Sequence, residues 1–245
     1  MTKARAMVLA AGRGERMRPL TDATPKPLLA VRGKPLMQWP LESLAAGGFS
    51  SVVVNTAWLG EQIEARFGNG AGIGSAPLHI VYSHEGRDFG AALETAGGIT
   101  RALPMLGEVF WVVAGDVYAP AFVFSDAKVT RFATSGQLAH LWLVPNPSHH
   151  PKGDFGISAE GLALDDAAER FTFSTIALYR AELFAMPWNA IARGNPLGER
   201  AALASLLRAA ITARRVSAEI YDGDWTDVGT PQRLAELNLK ERSRR

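Results

Sequence analysis

The sequence predicts an α/β protein with a three-layer α/β/α, Rossmann-like architecture, in which a mostly parallel, mixed central sheet lies between two layers of helices. Two observations favour this fold class. The apolar runs are hydrophobic throughout, as expected of parallel strands that are covered on both faces. Helical patterns separate these runs, which is typical of doubly wound sheets. The apolar runs lie at residues 6–10, 51–55, 78–82, 109–114 and 138–144, and the helical patterns at 36–46, 59–67, 95–103 and 122–135.

The length of the chain predicts one domain rather than two. With 245 residues, of which 47% are hydrophobic, the chain can bury one large core. The alternating strands and helices occupy residues 1–145. Residues 146–230 contain shorter, more polar strands and a helical pattern at 199–213, and we interpret them as an elaboration that covers one side of the crevice. Residues 231–245 are predicted to form a last helix and a solvated basic tail.

The composition excludes several classes of function. The 26 Lys and Arg residues nearly balance the 24 Asp and Glu residues, and a net charge of +2 predicts neither a nucleic-acid nor a membrane surface. The absence of cysteine excludes disulfides, thiol nucleophiles and cysteine-ligated zinc. No apolar stretch approaches the roughly 18–20 residues of a spanning helix, and the first apolar run is too short for a signal peptide. We therefore expect a cytoplasmic monomer or small homo-oligomer without nucleic-acid or membrane partners.

The segment VLAAGRGERMRPLTDATPKPL, from Val8 to Leu28, is the most informative part of the sequence. Met17 stands where the dinucleotide-binding pattern has its third glycine, and no Gly-Lys-Ser/Thr of a P-loop follows. A glycine-rich turn flanked by cations suits phosphate oxygens, because free N–H groups and guanidinium forks both match them. The segment therefore predicts a polyphosphate site. Its glycines are Gly12 and Gly14, and its cations are Arg13, Arg16, Arg18 and Lys26.

The same segment resembles the signature of the sugar nucleotidyltransferases, which reads approximately L-A-G-G-x-G-T-R-L-x-P-L-T followed by P-K-P. The resemblance implies a reaction in which a sugar 1-phosphate attacks the α-phosphate of a nucleoside triphosphate and releases pyrophosphate. By position, Arg16 matches the arginine that holds the β- and γ-phosphates, and Lys26 matches the lysine that contacts the α-phosphate or the sugar phosphate. The resemblance also implies that the loop backbone binds the nucleotide, at Ala10, Ala11, Gly12 and Gly14.

Two aspartates complete the predicted catalytic set as ligands of Mg²⁺, which prefers one or two carboxylates and takes its remaining ligands from water and phosphate. Asp116 ends the run VFWVVAGD, which delivers its carboxylate to the carboxyl edge of the sheet; a structural turn aspartate is the alternative. Near the last helix, the local pattern does not distinguish Asp222, Asp224 and Asp227. The resemblance selects Asp227, because DWTDVGT is similar to the family's W-x-D-x-G-T.

The segment AALETAGGI, at residues 91–99, resembles the family's L-G-T-A-G element, which holds the nucleotide base mainly through its backbone. The resemblance implies nucleotide contacts at Glu94, Thr95, Ala96 and Gly97. Glu94 replaces the usual glycine. A carboxylate that faces the pocket would accept the uracil N3–H and favour a pyrimidine, although guanine also offers a donor. The alternative is an acid placed favourably at a helix N-terminus.

The resemblance implies that the second half of the chain binds the sugar, through Lys152, Asp154, Gly156 and Thr175. The family's E-K-P segment is replaced here by AEGLALDDAAERF. The segments VVVNTAWLGEQIE, NPSHHPKGDF and LETAGG most resemble family members that transfer uridylate from UTP to N-acetylmuramic acid 1-phosphate in peptidoglycan recycling. The lactyl carboxylate of that sugar needs a cation, for which Lys152 or Arg170 is a candidate.

Other readings of the sequence stay open. A mannose-1-phosphate or glucose-1-phosphate nucleotidyltransferase is the alternative enzyme. A non-catalytic nucleotide-sugar sensor is expected to lack one of the four catalytic residues, and all four are present. His149 and His150 are adjacent, so in an extended segment they point to opposite sides. We therefore interpret them as loop residues, with sugar contact as the alternative and metal binding as the least favoured reading.

Overall fold

Thirteen strands form among the residues that the computed structural model describes, which are 4–74 and 76–242. They are β1 (Ala4–Leu9), β2 (Ala30–Val31), β3 (Lys34–Pro35), β4 (Ser51–Thr56), β5 (His79–His84), β6 (Leu106–Ala114), β7 (Val117–Tyr118), β8 (Ala139–Val144), β9 (Gly156–Ile157), β10 (Ala163–Leu164), β11 (Thr172–Arg180), β12 (Val216–Ile220) and β13 (Thr226–Asp227). Seven of them form the central sheet, in the order β12-β8-β11-β6-β1-β4-β5. The end of the predicted basic tail, residues 243–245, lies outside the described residues.

Helices cover both faces of the sheet. They are α1 (Leu20–Ala23), α2 (Gln38–Ala46), α3 (Gly60–Phe67), α4 (Glu85–Phe89), α5 (Glu94–Ala102), α6 (Asp126–Thr134), α7 (Leu203–Thr212) and α8 (Pro231–Arg242). Phe110 and Val112 of β6 pack in one hydrophobic cluster with α5 and α7. Trp111 and Val113 pack on the other face with α2, α3 and α6. This alternation confirms the predicted three-layer α/β/α fold. None of the helices among the described residues is long and apolar enough to span a membrane.

Strand β11 makes the sheet mixed. It runs antiparallel to both of its neighbours, β6 and β8, whereas β1, β4, β5 and β6 are mutually parallel, as are β8 and β12. Residues 176–179 of β11 are buried on both faces. The segment 146–230, which the sequence led us to place beside the sheet, therefore contributes two strands to it, β11 near the centre and β12 at one edge.

The parallel pairing of β1 with β6 positions the site. Leu9 is the register partner of Ala114, and the Gly115 N–H donates to the Leu9 carbonyl oxygen at 2.8 Å. The segments that follow the two strands therefore leave the sheet side by side. This geometry confirms the prediction that the glycine-rich loop and Asp116 project from the same edge.

The loop after β1 is more ordered than its sequence pattern indicates. It contains 3-10 helices at Glu15–Met17 and Lys26–Leu28, with α1 between them. Pro19 precedes α1, and Pro25 and Pro27 flank Lys26. Because proline fixes φ and restricts the preceding residue, these positions limit the conformations of the loop.

Candidate active site

A cleft of about 700 Å³ opens at this edge of the sheet. Its lining includes Leu9 and Val112 from the two central strands, and Thr95 and Ala204 from the N-terminal turns of α5 and α7. The cleft therefore lies where two strands end and two helices begin. The predicted site residues that line it are Ala10, Ala11, Gly12, Lys26, Glu94, Thr95, Asp116, Asp154 and Thr175.

The two glycines of the first loop have different structural roles. Gly12 is exposed on the cleft, and a Cβ built there meets no atom within 4 Å, so a ligand can approach the backbone. Gly14 has a φ of +69°, which L side chains rarely adopt. A Cβ at Gly14 would also lie 3.0 Å from Thr21 Cγ2. Gly14 is therefore required by the turn, and Gly12 leaves room for a ligand.

Two of the three loop arginines are already engaged. Arg13 donates to Asp22 Oδ1 at 2.9 Å, and its guanidinium carbon lies 3.8 Å from the centroid of the Trp58 ring. Arg18 Nε lies 2.8 Å from the same carboxylate oxygen. The hydrogen bond from Arg13, with the nearby charges of both arginines, lowers the pKa of Asp22. Arg16 is exposed and has no hydrogen-bond or ion-pair partner among the described residues, so it is the loop arginine left for a ligand.

Lys26 and Asp116 meet in the cleft. Lys26 is only 9% exposed, and its Nζ donates to Asp116 Oδ2. Asp116 follows β6, and its side chain is 35% exposed. A cation from the loop after β1 is thus held against an anion from the end of the neighbouring strand.

Asp227 lies beside Asp116 because a short strand pair joins the two segments. In the antiparallel pairing of β13 with β7, Asp227 is opposite Val117, and the Val228 N–H donates to the Asp116 carbonyl oxygen at 3.0 Å. Opposed residues of such a pair have Cα atoms roughly 4.5–5.5 Å apart. The two aspartates, 111 positions apart in the sequence, are therefore close neighbours in the fold.

Two further side chains hold Asp227. Its Oδ1 accepts a hydrogen bond from Arg233 Nη1 at 2.5 Å and lies 3.0 Å from His149 Nε2. Arg233 belongs to the first turn of α8, and His149 to the segment between β8 and β9. The rival residues Asp222 and Asp224 are exposed and lie outside β13. The strand register therefore distinguishes Asp227 from the two aspartates that the local sequence pattern left open.

The two carboxylates suit a divalent cation. They are hard oxygen donors, one in the turn before β7 and one in its partner strand β13, and each lies beside a cation of the protein, Lys26 or Arg233. Within the described ranges, no group of three or more His, Asp or Glu residues is arranged to hold a metal ion. The donor set thus fits an ion such as Mg²⁺ that takes two carboxylates from the protein and its other ligands from substrate and water.

A series of buried hydrogen bonds connects the loop after β1 to the residue before α5. The Ala10 N–H donates to Asn55 Oδ1 at 2.9 Å, and Asn55 Nδ2 donates to Glu85 Oε1 at 2.7 Å. The Leu93 N–H donates to Glu85 Oε2, also at 2.7 Å. Glu85 is fully buried, and burial raises the pKa of its carboxyl group, against the two hydrogen bonds that lower it. This series of hydrogen bonds fixes the distance between the two segments that the sequence assigns to the nucleotide.

Glu94 begins α5 in a strained conformation. Its φ is +61°, which explains why glycine is usual at the equivalent family position. Glu94 and Thr95 line the cleft, and Glu94 Oε1 lies 3.1 Å from Arg200 Nη2. The carboxylate is thus placed at the cleft but held by an arginine.

The N–H groups of Ala96 and Gly97 are engaged within the protein. Both residues are buried, and their N–H groups donate to the Ala201 carbonyl oxygen at 2.9 and 3.1 Å. A Cβ on Gly97 would lie 2.6 Å from the Glu199 carbonyl oxygen. These backbone groups therefore tie α5 to the segment before α7 and are not free for a base.

The predicted sugar residues separate into two groups. Asp154 and Thr175 line the cleft. Lys152 instead lines a second hollow of about 550 Å³, together with Arg170. Gly156 is buried, and a Cβ there would lie 2.4 Å from the Ala167 Cβ, so glycine is required by packing. The structure therefore does not bring Lys152 and Gly156 together with Asp154 and Thr175 in the lining of the cleft.

The histidines of the NPSHHPKGDF segment contact different carboxylates. His149 lies beside Asp227, and His150 Nε2 lies 3.1 Å from Asp154 Oδ1. Asp154 Oδ2 also accepts from the Phe173 N–H at 2.8 Å. The two side chains diverge, as their adjacency in the sequence predicts.

Several residues of the site carry no signal in the sequence that identifies them. Asn55 and Glu85 end or follow apolar strands, where a polar residue is a weak indication of a sheet-edge site. Arg208 and Tyr179 line the cleft from α7 and β11. The sequence patterns of these two elements indicate only packing against the core. Arg233 was recoverable in part, since it lies six residues after Asp227 in the same motif.

The fold and the site together define a nucleotidyl transferase. A family model described as nucleotidyl transferase matches residues 5–172, and the chain belongs to this family. It is 46% identical, over 95% of its length and 96% of the relative, to N-acetylmuramate alpha-1-phosphate uridylyltransferase of Neisseria meningitidis serogroup B. The protein with the same name from Caulobacter vibrioides is 34% identical over 96% of this chain and 97% of its own.

Solved structures share the fold. A crystal structure of a Bacillus anthracis protein assigned as a glucose-1-phosphate thymidylyltransferase, in complex with a sucrose, superposes with a TM-score of 0.75. Its identity is 21%, and the match covers 97% of this chain and 95% of that one. This likeness confirms the α/β fold.

The series of buried hydrogen bonds from Ala10 to Leu93 predicts a pH-dependent effect of Asn55→Asp. The new carboxyl group cannot donate to Glu85 when it is ionised, so two buried acids face each other. We therefore expect the free energy of unfolding to fall by about 3 kcal/mol or more at pH 8. Burial already raises the pKa of Glu85, and the second acid raises it further. The fall in unfolding free energy should therefore be smallest below the ordinary carboxyl pKa and should grow as the pH rises. The reason is that the folded state keeps its proton to a higher pH than the unfolded chain does.

Urea denaturation of both proteins between pH 4 and pH 8 measures this effect. Asn69→Asp is the control, because Asn69 is exposed and its change should cost less than about 0.5 kcal/mol. A pH-independent difference between Asn55→Asp and the wild type would contradict the prediction.

Proposed function

We propose that this protein transfers uridylate from UTP to N-acetylmuramic acid 1-phosphate and releases pyrophosphate. The observation that carries the proposal is that Lys26 and Asp116 meet in the cleft and that Asp227 lies on the segment paired beside Asp116. The glycine-rich loop that carries Lys26 also carries the unengaged Arg16. This set offers cations for phosphate and carboxylates for a metal ion. The choice of sugar and nucleotide is supported by the full-length similarity to two uridylyltransferases of that specificity.

In the proposed reaction, an oxygen of the sugar phosphate forms a bond to the α-phosphorus of UTP. The bond from that phosphorus to the bridging oxygen breaks, and the electron pair leaves with pyrophosphate. The attacking oxygen is already ionised at neutral pH, so no general base is needed. Catalysis then consists of positioning and of stabilising negative charge on phosphate oxygens.

The protein's own residues divide this work. The open backbone at Gly12 and the guanidinium of Arg16 bind the β- and γ-phosphates. Lys26 turns from Asp116 to the α-phosphate or the sugar phosphate. Glu94 and Thr95 contact the base, and the Glu94 carboxylate accepts the uracil N3–H. Asp154 and Thr175 contact the sugar.

Asp116 and Asp227 hold Mg²⁺ in this proposal. When bound, the ion neutralises the charge of the triphosphate and of the leaving pyrophosphate. Arg233 and His149 keep the Asp227 carboxylate in position. Lys26 holds Asp116 only until a phosphate binds. We place the reaction in the cytoplasm, in the recycling of peptidoglycan sugars, and the state of assembly stays a prediction of a monomer or small homo-oligomer.

The test is pyrophosphate release with purified protein, measured across UTP, GTP, dTTP and ATP against the 1-phosphates of N-acetylmuramic acid, N-acetylglucosamine, glucose and mannose. We expect the highest kcat/KM for UTP with N-acetylmuramic acid 1-phosphate. A preference for mannose 1-phosphate with GTP, or for glucose 1-phosphate, would replace the assignment with the alternative enzyme. Release with none of the sugars would favour the non-catalytic sensor.

Asp116→Asn and Asp227→Asn should each lower kcat/KM by about 10²–10³-fold, because each removes the charge of a proposed metal ligand while preserving its shape. Circular dichroism checks that the fold persists. Asp224→Asn is the matched control, since Asp224 is exposed in the same segment, and it should keep activity within about threefold. Normal Mg²⁺-dependent turnover in either of the first two variants would exclude that aspartate as a ligand.

Arg16→Ala should raise the KM for UTP by about tenfold or more, because a charge-assisted hydrogen bond to phosphate contributes roughly 1.5–3 kcal/mol. Arg18→Ala serves as the comparison, since Arg18 is held by Asp22 and its loss should change that KM by less than about threefold. Equal effects of the two substitutions would show that Arg16 has no special contact with the nucleotide.

A further inference from the structure

We propose that the N-terminus of α7 and the side chain of Arg208 bind a carboxylate on the sugar substrate, and so select an acidic sugar 1-phosphate. The inference rests on the proposed function and adds to it the residues that determine the sugar. It concerns residues of the cleft lining that lie outside the signature motifs.

Helix α7 presents an open N-terminus to the cleft. Ala202, Leu203 and Ala204 line the cleft, and Leu207 and Arg208 follow one turn later on the same helix. The N-cap residue is Ala202, which supplies no side-chain hydrogen bond to the first turn. The first N–H groups of a helix have no partner within it, and with the helix dipole they favour an anion. A carboxylate bound there would act as the missing cap.

Arg208 adds a full positive charge to this position. Its Nε donates to Asp165 Oδ1 at 3.0 Å, its side chain is 59% exposed, and it lines the cleft. The guanidinium has further N–H donors that the bond to Asp165 does not use. A planar guanidinium matches a carboxylate geometrically.

A buried hydroxyl group in the lining of the same cleft points independently to a ligand. Tyr179 lines the cleft and is 1% exposed, and its hydroxyl has no hydrogen-bond partner in the described parts of the chain. A buried donor without a partner is costly, and a ligand acceptor removes that cost. Leu9, Val112 and Phe173 make the surrounding lining apolar. Such a surface suits the methyl groups of an N-acetyl and a lactyl substituent.

The acidic groups that line the cleft do not repel a bound carboxylate strongly, because each already has a cation or a hydrogen-bond donor of the protein as its partner. Glu94 is paired with Arg200, and Asp116 with Lys26. Asp154 accepts from the Phe173 N–H and lies beside His150. Glu85 accepts two hydrogen bonds beneath the surface. The other cations suggested by the sequence, Lys152 and Arg170, line the separate hollow.

The first experiment compares two sugar 1-phosphates that differ only in the lactyl group, those of N-acetylmuramic acid and N-acetylglucosamine. We expect Arg208→Ala to lower the ratio of their kcat/KM values by at least tenfold relative to the wild type. Asp165→Asn is the matched control, because it removes the ion pair and keeps the guanidinium; it should leave the ratio within twofold. An unchanged ratio in Arg208→Ala, an equal fall in Asp165→Asn, or a fall in Lys152→Ala instead, overturns the inference.

The second experiment uses Ala202→Asp, which supplies the helix with a carboxylate cap of its own. We expect the Tm of the free protein to rise, while the Kd for N-acetylmuramic acid 1-phosphate, measured by calorimetry without UTP, increases at least tenfold. A purely structural role would not move these two quantities in opposite senses, and an unchanged Kd overturns the inference. If wild-type protein neither binds this sugar phosphate nor releases pyrophosphate with it, the proposed function itself fails, which is a different outcome.

Discussion

The site depends on the parallel pairing of β1 with β6. Because Leu9 and Ala114 are register partners, the loop that carries the cations and the segment that carries Asp116 leave the sheet side by side. Lys26 then returns to contact Asp116, and the pairing of β7 with β13 brings Asp227 to the same place. The charged groups of the site are thus assembled as two neutralised pairs before any substrate binds. In the proposed reaction, the phosphates and the metal ion would exchange partners with these pairs, so the charged groups would already be in place when substrate binds.

A second constraint joins the start of α5 to the segment before α7. The Ala201 N–H donates to the Leu93 carbonyl oxygen, and the Ala201 carbonyl oxygen accepts from the first turn of α5. Glu85 fixes Leu93 from below and connects it, through Asn55, to Ala10. The starts of α5 and α7 and the end of β1 therefore form one hydrogen-bonded frame. A displacement of any one of these three segments would therefore displace the other two.

Local sequence patterns predicted the layers of the fold and the edge at which the site lies, because uniform hydrophobicity and strand–helix alternation depend on neighbouring residues only. They did not predict the position of β11, whose place between β6 and β8 is decided by pairing across the chain. Similarly, a glycine pattern marked Gly97 and Gly156 as ligand contacts, whereas the structure shows that both are small for packing reasons. The pattern could not separate Asp227 from Asp222 and Asp224, since that choice is made by the register of β13. Arg208 and Tyr179 carried no signal, because only the folded chain brings them to the cleft.

The backbone of Glu94 has an evolutionary consequence. A non-glycine residue with φ near +61° stores conformational strain of roughly 1 kcal/mol or more, and the local geometry would be relaxed by glycine. The backbone at this position therefore favours glycine over a residue that carries a carboxylate. A change from glutamate to glycine at this position is therefore expected to relieve strain, whereas the reverse change must overcome it.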